Sequence, residues 1–191
     1  MKRIALFGGS FDPVHNGHLL VARAACEELG VEQVVFVPAS QSPFKPDRFL
    51  AAAEHRLAML RLSLAGWTNA VVDDRELRRG GISYTIDTVR ELIEAEGATE
   101  CVCLIGADHV PHLPSWREAS ALAELASFAA VPRPGEVPQP GPVPFRVTWL
   151  KGVPFGVSSS EIRARIRSGL PVDLLMNAAA ADYAHRNRLY L

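Results

Sequence analysis

The stretch Arg3-Ile4-Ala5-Leu6-Phe7-Gly8-Gly9-Ser10-Phe11-Asp12-Pro13-Val14-His15-Asn16-Gly17-His18 decides how the rest of the chain is read. Arg3 to Phe7 is a short apolar run bounded by glycines, which fits a buried strand better than a helix. A glycine-containing turn follows. A helical pattern opens at about His18 and runs to Leu29, where Gly30 stands in the position that ends helices with a left-handed residue.

The same unit recurs outward from this point. Gln33 to Val37, Ala70 to Val72, Cys101 to Ile105 and Ser127 to Val131 read as further buried strands, and helices are expected over about Leu50 to Leu64 and about Tyr84 to Ala95, the latter stopped near Gly97. Parallel neighbours need long crossovers, so strand and helix in alternation imply a doubly wound α/β fold with a parallel sheet and helices on both faces. Ligands bind such sheets at the carboxyl ends of the strands. The turns after Phe7, Val37, Ile105 and Val131 are therefore where chemistry is expected. Pro132 to Pro144 holds six prolines and two glycines and reads as a surface loop, followed by one more strand over Phe145 to Leu150.

Composition bounds the function. The 191 residues are 48% hydrophobic and 21% charged, enough for one sizeable core, and one domain is expected. Twenty Lys and Arg nearly balance twenty-one Asp and Glu, so no global field steers the protein to nucleic acid or to an anionic membrane. Any phosphate chemistry must be local. No apolar run is long enough for a signal peptide or a membrane span, which places the chain in the cytoplasm. Cys26, Cys101 and Cys103 lack metal-ligand spacing, and the last two share one face of a strand, as buried reduced thiols would. The composition leaves a homo-oligomer open.

The turn after the first strand matches neither the G-x-G-x-x-G fingerprint nor a P-loop. Gly8 and Gly9 alone say little. His15-x-Gly17-His18 says more, because two imidazoles, free backbone N–H groups and the positive end of a helix converge there on one anion site, and glycine lets a phosphate come close. The plainer alternative has one histidine capping the helix and the other solvated. A second candidate lies at Ser158-Ser159-Ser160-Glu161-Ile162-Arg163-Ala164-Arg165-Ile166-Arg167. Ser158 and Glu161 form a capping box. Ile162 and Ile166, one turn apart, face the core, so Arg163 can lean back toward the helix start and join the serine hydroxyls and free N–H groups in a second anion site suited to a triphosphate. Arg165 and Arg167 are expected in solvent. His55, His109, His112 and His185 have no partners at metal or triad spacing and read as structural or solvated.

Gly-Gly-Ser-Phe-Asp-Pro-Val-His-Asn-Gly-His at 8–18 together with Ser158-Ser159-Ser160-x-Ile162-Arg163 resembles the nucleotidylyltransferase superfamily, and specifically the nicotinate-nucleotide adenylyltransferases. Ile82-Ser83-Tyr84-Thr85-Ile86-Asp87-Thr88, Leu104-Ile105-Gly106-Ala107-Asp108, Leu113-Pro114-x-Trp116, Val131-x-Arg133-Pro134-Gly135 and Asn187-Arg188-Leu189-Tyr190 follow in that family's order, over nearly the whole chain. The resemblance implies a Rossmann-like nucleotidyltransferase domain over 1–191 with a C-terminal helical portion at about 158–191. It implies ATP and nicotinate mononucleotide as substrates, deamido-NAD and pyrophosphate as products, and Mg²⁺ carried by the ATP phosphates. By the same resemblance Gly8, Gly9, Ser10, Phe11, His15, His18, Gly106, Asp108, Ser158, Ser159, Ser160 and Arg163 bind ATP, with His15, His18 and Arg163 catalytic. Lys45, Tyr84, Thr85, Trp116 and Arg133 serve the acceptor, Trp116 lying against the pyridine ring and Thr85 near its carboxylate. Ser115 and Glu118 form a further capping box, which puts Trp116 in the first turn of a helix.

One departure stands out. Where the family shows Pro-Pro-His-Lys after the second strand, this chain has Ser42-Pro43-Phe44-Lys45, so altered binding is expected; Ser160 in place of the usual threonine keeps its hydroxyl. Rival readings are an adenylyltransferase acting on nicotinamide mononucleotide or phosphopantetheine, and a catalytically silent nucleotide-binding module. The Thr85 and Trp116 motifs argue against the first, and the presence of His15, His18 and Arg163 together against the second. A class I aminoacyl-tRNA synthetase shares the histidine-glycine-histidine element, but this chain is too short and too neutral to hold tRNA.

Overall fold

The computed structural model describes residues 2–43, 50–97, 100–132, 135, 137–153 and 155–191. Strands β1 (Arg3–Gly9), β2 (Gln33–Pro38), β3 (Ala70–Val72), β4 (Glu100–Gly106), β5 (Ala126–Val131) and β6 (Val147–Trp149) form one sheet in the order β3-β2-β1-β4-β5-β6, every neighbouring pair parallel. Helices α1 (Asn16–Leu29), α2 (Ala53–Ser63), α3 (Arg75–Arg79), α4 (Thr85–Glu96), α5 (Ala119–Leu125), α6 (Ser159–Arg167) and α7 (Ala178–Arg186) flank it, with a 3₁₀ segment over Ala107–Ser115. This is the doubly wound arrangement that the alternation of elements predicts. Gly30 and Gly97 end α1 and α4 in the left-handed region, at φ 61° and 57°, where a side chain would be strained.

Alternation along the strands sends side chains to two separate cores. Ala5, Phe7, Val34, Phe36, Val102 and Leu104 face one layer, built with Ala22 and Ala25 of α1, Met59 and Leu60 of α2, Ile162 of α6 and Ala180 of α7. Ile4, Leu6, Val35, Val37, Cys101, Cys103 and Ile105 face the other, against Ile86, Val89 and Leu92 of α4 and Leu122 of α5. Cys101 and Cys103 are thus buried free thiols on one strand face, as expected. Helix α7 packs on α2, which brings the end of the described chain back to the sheet.

Register places the cleft. Strand β1 pairs with β2 from Ile4 to Gly9, but with β4 only from Arg3 to Leu6, the last partner being Cys103. Strand β4 meanwhile continues along β5 to Gly106, opposite Val131. Past Leu6 the two central strands therefore part at their carboxyl ends, at the point where the chain order reverses, and a crevice opens between them.

Three boundaries differ from expectation, the first being that α2 begins at Ala53 rather than at about Leu50. Helix α1 starts at Asn16 with His15 as its N-cap, two residues earlier than the apolar pattern indicates. Ser115 caps nothing: its hydroxyl donates to the His112 carbonyl at 2.7 Å and closes the 3₁₀ segment. Trp116 is extended rather than helical (φ −73°, ψ 153°), and α5 begins only after Glu118, which is left-handed at φ 50° with its carboxylate bound to Arg90 at 2.6 Å. Pro111 and Pro114 hold the segment in the tighter helix and keep it from running on.

Candidate active site

A cleft of about 430 Å³ lies over the parted strands. Its walls come from the four turns named from sequence: Gly8 to Phe11 with His15, Gly17 and His18 after β1; Ala39, Ser42 and Pro43 after β2; Gly106 to His109 after β4; and Pro132 after β5. Ser158, Ser159 and Ser160 at the start of α6 complete it. The two helix amino ends proposed as anion sites, about 140 residues apart in sequence, therefore face one cavity. Direct bonds join them. The Ser159 hydroxyl donates to the Pro13 carbonyl at 2.9 Å, and Arg163 Nη1 donates to the Asp12 carbonyl at 2.7 Å.

The plain alternative holds for half of the pair: one histidine does cap the helix, but the other is not solvated. His15 is buried as the N-cap, and His18 Nδ1 accepts the His15 backbone N–H at 3.1 Å. An accepting Nδ1 leaves the ring proton on Nε2, so His18 is a neutral imidazole with one N–H to offer. The rings stack with centroids 3.7 Å apart, and Phe11 meets His18 edge-on at 5.0 Å. Burial pulls His15 down to about 4 and His18 well below its ordinary value, and the neighbouring His15 lowers His18 further. A charged pair in contact and out of water is unfavourable, so both rings are neutral near pH 7.

The turn itself is held by packing. Phe11 lies in the left-handed region at φ 45°, a conformation costing about 1–3 kcal/mol for a bulky residue. Burial of its ring, edge-on to Phe7 at 5.6 Å, returns a similar amount. Gly9 lies beneath it, where a Cβ would stand 3.2 Å from the Phe11 ring and press on it. Arg56, buried, donates to the carbonyls of Ser10, Ala39 and Ala51 at 2.8, 2.8 and 3.0 Å and so ties the turns after β1 and β2 together. Sequence reading missed Arg56, since an arginine in a helical pattern looks like a solvated one.

At the serines, Ser158 Oγ accepts the Glu161 N–H at 3.2 Å, so the cap expected from sequence forms. Arg163 does lean back toward the helix start, where Nη2 donates to Ser160 Oγ at 3.0 Å. Its head is turned to the Asp12 carbonyl, however, and it is not among the cavity-lining residues. Arg165 is half-buried and donates to the Pro171 carbonyl at 3.1 Å, contrary to the expectation of a solvated side chain; Arg167 is exposed as expected. Asp108 lines the cavity just past β4, and its Oδ1 lies 2.5 Å from where a Cβ on Gly106 would stand, so a side chain at that position would displace the Asp108 carboxylate.

On the opposite wall Thr85 and Trp116 line the cavity together. Trp116 meets His109 and Phe128 edge-on at 6.0 and 6.2 Å, so it is both a core-packing and a cavity residue; His109, read from sequence as structural or solvated, faces the cavity as well. Tyr84 turns away: Arg117 covers its ring at 4.5 Å. Lys45 and Arg133, and Phe44 with them, lie outside the described residues. Glu76 and Ser83 also line the cavity; Ser83 belongs to the motif at 82–88 without having been singled out, and Glu76 had no sequence signal to announce it. Glu76 sits in a segment, Arg75-Glu76-Leu77-Arg78-Arg79, that looks like a charged surface helix, yet it is only 5% exposed. Burial pushes its carboxyl up, against hydrogen bonds from Thr88 and Ser83 that pull it back.

The cytidylyltransferase-like family model matches residues 6–165. Over the full chain, 37% of positions are identical to a protein named probable nicotinate-nucleotide adenylyltransferase from Herpetosiphon aurantiacus, which is also covered in full. A protein of the same name from Bacillus licheniformis is 38% identical, with 100% of this chain and 99% of that one covered. Among solved structures, Plasmodium falciparum nicotinic acid mononucleotide adenylyltransferase complexed with NaAD superposes with a TM-score of 0.78 at 20% identity, covering 100% of this chain and 98% of that one, which bears out the fold. With motifs, sheet order and full-length relatives in agreement, the chain belongs to the cytidylyltransferase-like family and, within it, to the nicotinate-nucleotide adenylyltransferases.

Proposed function

We propose that the protein transfers the adenylyl group of ATP to the phosphate of nicotinate mononucleotide, giving deamido-NAD and pyrophosphate, as a cytoplasmic enzyme of NAD biosynthesis that uses neither nucleic acid nor membrane. The observation that carries this reading is the meeting of two helix amino ends, one bearing stacked neutral imidazoles and the other three serines, at a single cleft.

In this reading an oxygen of the acceptor's phosphate attacks the α-phosphorus. As the new P–O bond forms, the bond from that phosphorus to the oxygen bridging to the β-phosphate breaks, and pyrophosphate departs with the electron pair. No side chain acts as nucleophile; the protein aligns the reactants and stabilises developing charge. The Nε2–H of His18 donates to phosphate oxygens, with His15 beside it. Ser158 to Ser160 and the free N–H groups of α6 receive the leaving pyrophosphate. Arg163 contributes chiefly through the Asp12 carbonyl and Ser160, holding one anion site against the other. Gly8, Gly9, Ser10, Gly106 and Asp108 line the ATP side, and Thr85 with Trp116 the acceptor side, where the indole face suits a planar ring.

Among the described residues no group of three or more His, Cys, Asp or Glu side chains could hold a metal ion. Magnesium fits this reading as a cation carried on the ATP phosphates, keeping much of its water and offsetting phosphate charge.

Pyrophosphate release measured with ATP, Mg²⁺ and a panel of mononucleotides tests the proposal. Strong preference for nicotinate mononucleotide is expected. Equal turnover of the nicotinamide form would remove the narrower assignment.

A further inference from the structure

A buried carboxylate on the acceptor wall has no part in the reaction as described. Glu76 of α3 lines the cleft beside Ser83 and Thr85. Thr88 Oγ1 donates to Glu76 Oε1, and the Ser83 hydroxyl also bonds the Glu76 carboxyl. Each hydroxyl is itself an acceptor: Ser83 Oγ takes the Ser40 N–H at 3.0 Å, and Thr88 Oγ1 takes Arg79 Nη2 at 3.1 Å. With those N–H groups pointing in, the hydroxyl protons of both residues are directed at Glu76. The Glu76 carboxyl is therefore the acceptor of both hydroxyls, and they hold it in place on the wall. The carboxyl is thus bound into the wall rather than left as a free acid or base for the reaction.

The chain of bonds spans three elements. Ser40 follows β2, Glu76 belongs to α3, and Thr88 is in the first turn of α4; the Ser83 N–H further bonds the Gln41 carbonyl at 2.9 Å, next to a parallel bridge between Gln41 and Ile82. Only residues 80–84 join α3 to α4, so these bonds set the path of that short connection and the place of Thr85 at the start of α4.

We propose that Glu76 is a positioning residue for acceptor binding: by gathering Ser83 and Thr88 it holds the Ile82–Thr85 turn in the shape that receives the acceptor nucleotide's ring. This rests on the assignment of Thr85 and Trp116 to the acceptor. A loss of geometry here raises the KM for the acceptor, because the misplaced wall is met by that substrate alone, and leaves the KM for ATP and kcat at saturation near their starting values.

The test is steady-state kinetics of Glu76→Asp and Glu76→Gln with ATP and nicotinate mononucleotide varied separately, beside the unmodified protein. Aspartate keeps the carboxyl but withdraws it by one methylene; glutamine keeps the reach but must turn an N–H toward one hydroxyl. Both are expected to raise the acceptor KM about tenfold, with the ATP KM within twofold. Unchanged acceptor KM in both variants overturns the proposal, as does a change in Glu76→Gln alone, which marks a charge effect, or an equal rise for both substrates, which marks general loosening. Ser83→Ala serves where either variant does not fold, with the same expected split and the same outcome against. The unmodified protein separates this from the function itself: failure to turn over nicotinate mononucleotide refutes the acceptor assignment whatever the variants do.

Discussion

Tyr190 donates its hydroxyl to Asp12 Oδ1 at 2.9 Å, across 178 positions of sequence, and so fastens the last turn of the described chain to the loop that carries the histidines. Asp12 is 1% exposed, and the same Oδ1 also accepts the Ala51 N–H at 3.1 Å, while Oδ2 lies 3.7 Å from Arg163 Nη1. Burial and the Asp12 charge push the Tyr190 hydroxyl up, which keeps it a donor. Tyr190→Phe removes one charge-assisted bond and is expected to cost about 1.5–3 kcal/mol in denaturant unfolding. Asp12→Ala, which strands two buried donors, should cost more, and Asp12→Asn, whose carbonyl can still accept both, less. An alanine variant no weaker than the asparagine one would show that Asp12 is not the junction described.

Acid should weaken the ligand-free protein through position 15. Folding lowers His15 from 6.5 to about 4, so between those values the unfolded chain holds a proton there that the folded chain does not. Stability from this group is complete above pH 6.5 and falls as the pH drops toward 4, by roughly 3 kcal/mol at the bottom of the window. His15→Gln is expected to flatten that part of the profile. Parallel pH profiles for the two proteins would contradict the assignment.

Replacing His18 by alanine removes the Nε2–H donor and uncovers the His15 N–H. Loss of one preorganised donor to developing charge typically costs about 10²–10³ in kcat, and a fall of that size is expected with the melting temperature changed by only a few degrees. Near-normal turnover in a folded His18→Ala protein would refute the role.

Gly17 offers a gentler probe of the same geometry. A Cβ there would stand 3.0 Å from both Cε1 and Nδ1 of His15, close enough that the ring must shift by a few tenths of an ångström. Gly17→Ala should lower kcat by about tenfold through misalignment while leaving the fold intact, since alanine is the better helix former. A crystal structure of the variant with His15 undisplaced would remove that explanation.

Much of this was legible before any coordinates. Apolar runs alternating with helical patterns specify a parallel sheet because burial on both faces leaves a strand no polar side, and Gly30 and Gly97 mark helix ends that other residues resist. Both helix amino ends were legible for a local reason: caps, free N–H groups and glycines act within a single turn of chain. The helix expected at Trp116 was not there, because Ser115 could bond forward or backward and the two prolines of the 3₁₀ segment decided for backward.

What sequence by itself determined, then, is the set of local units and the two strand-to-helix corners that face the cleft. Tertiary structure alone decided the strand order, the parting of β1 from β4 past Leu6, the turning of Arg163 onto the Asp12 carbonyl, and the burial of Arg56 and Glu76. The physical reason is that hydrogen bonding and backbone preference act between neighbours in sequence, whereas burial of a charge is settled only by which distant carbonyls and hydroxyls surround it once the layers pack.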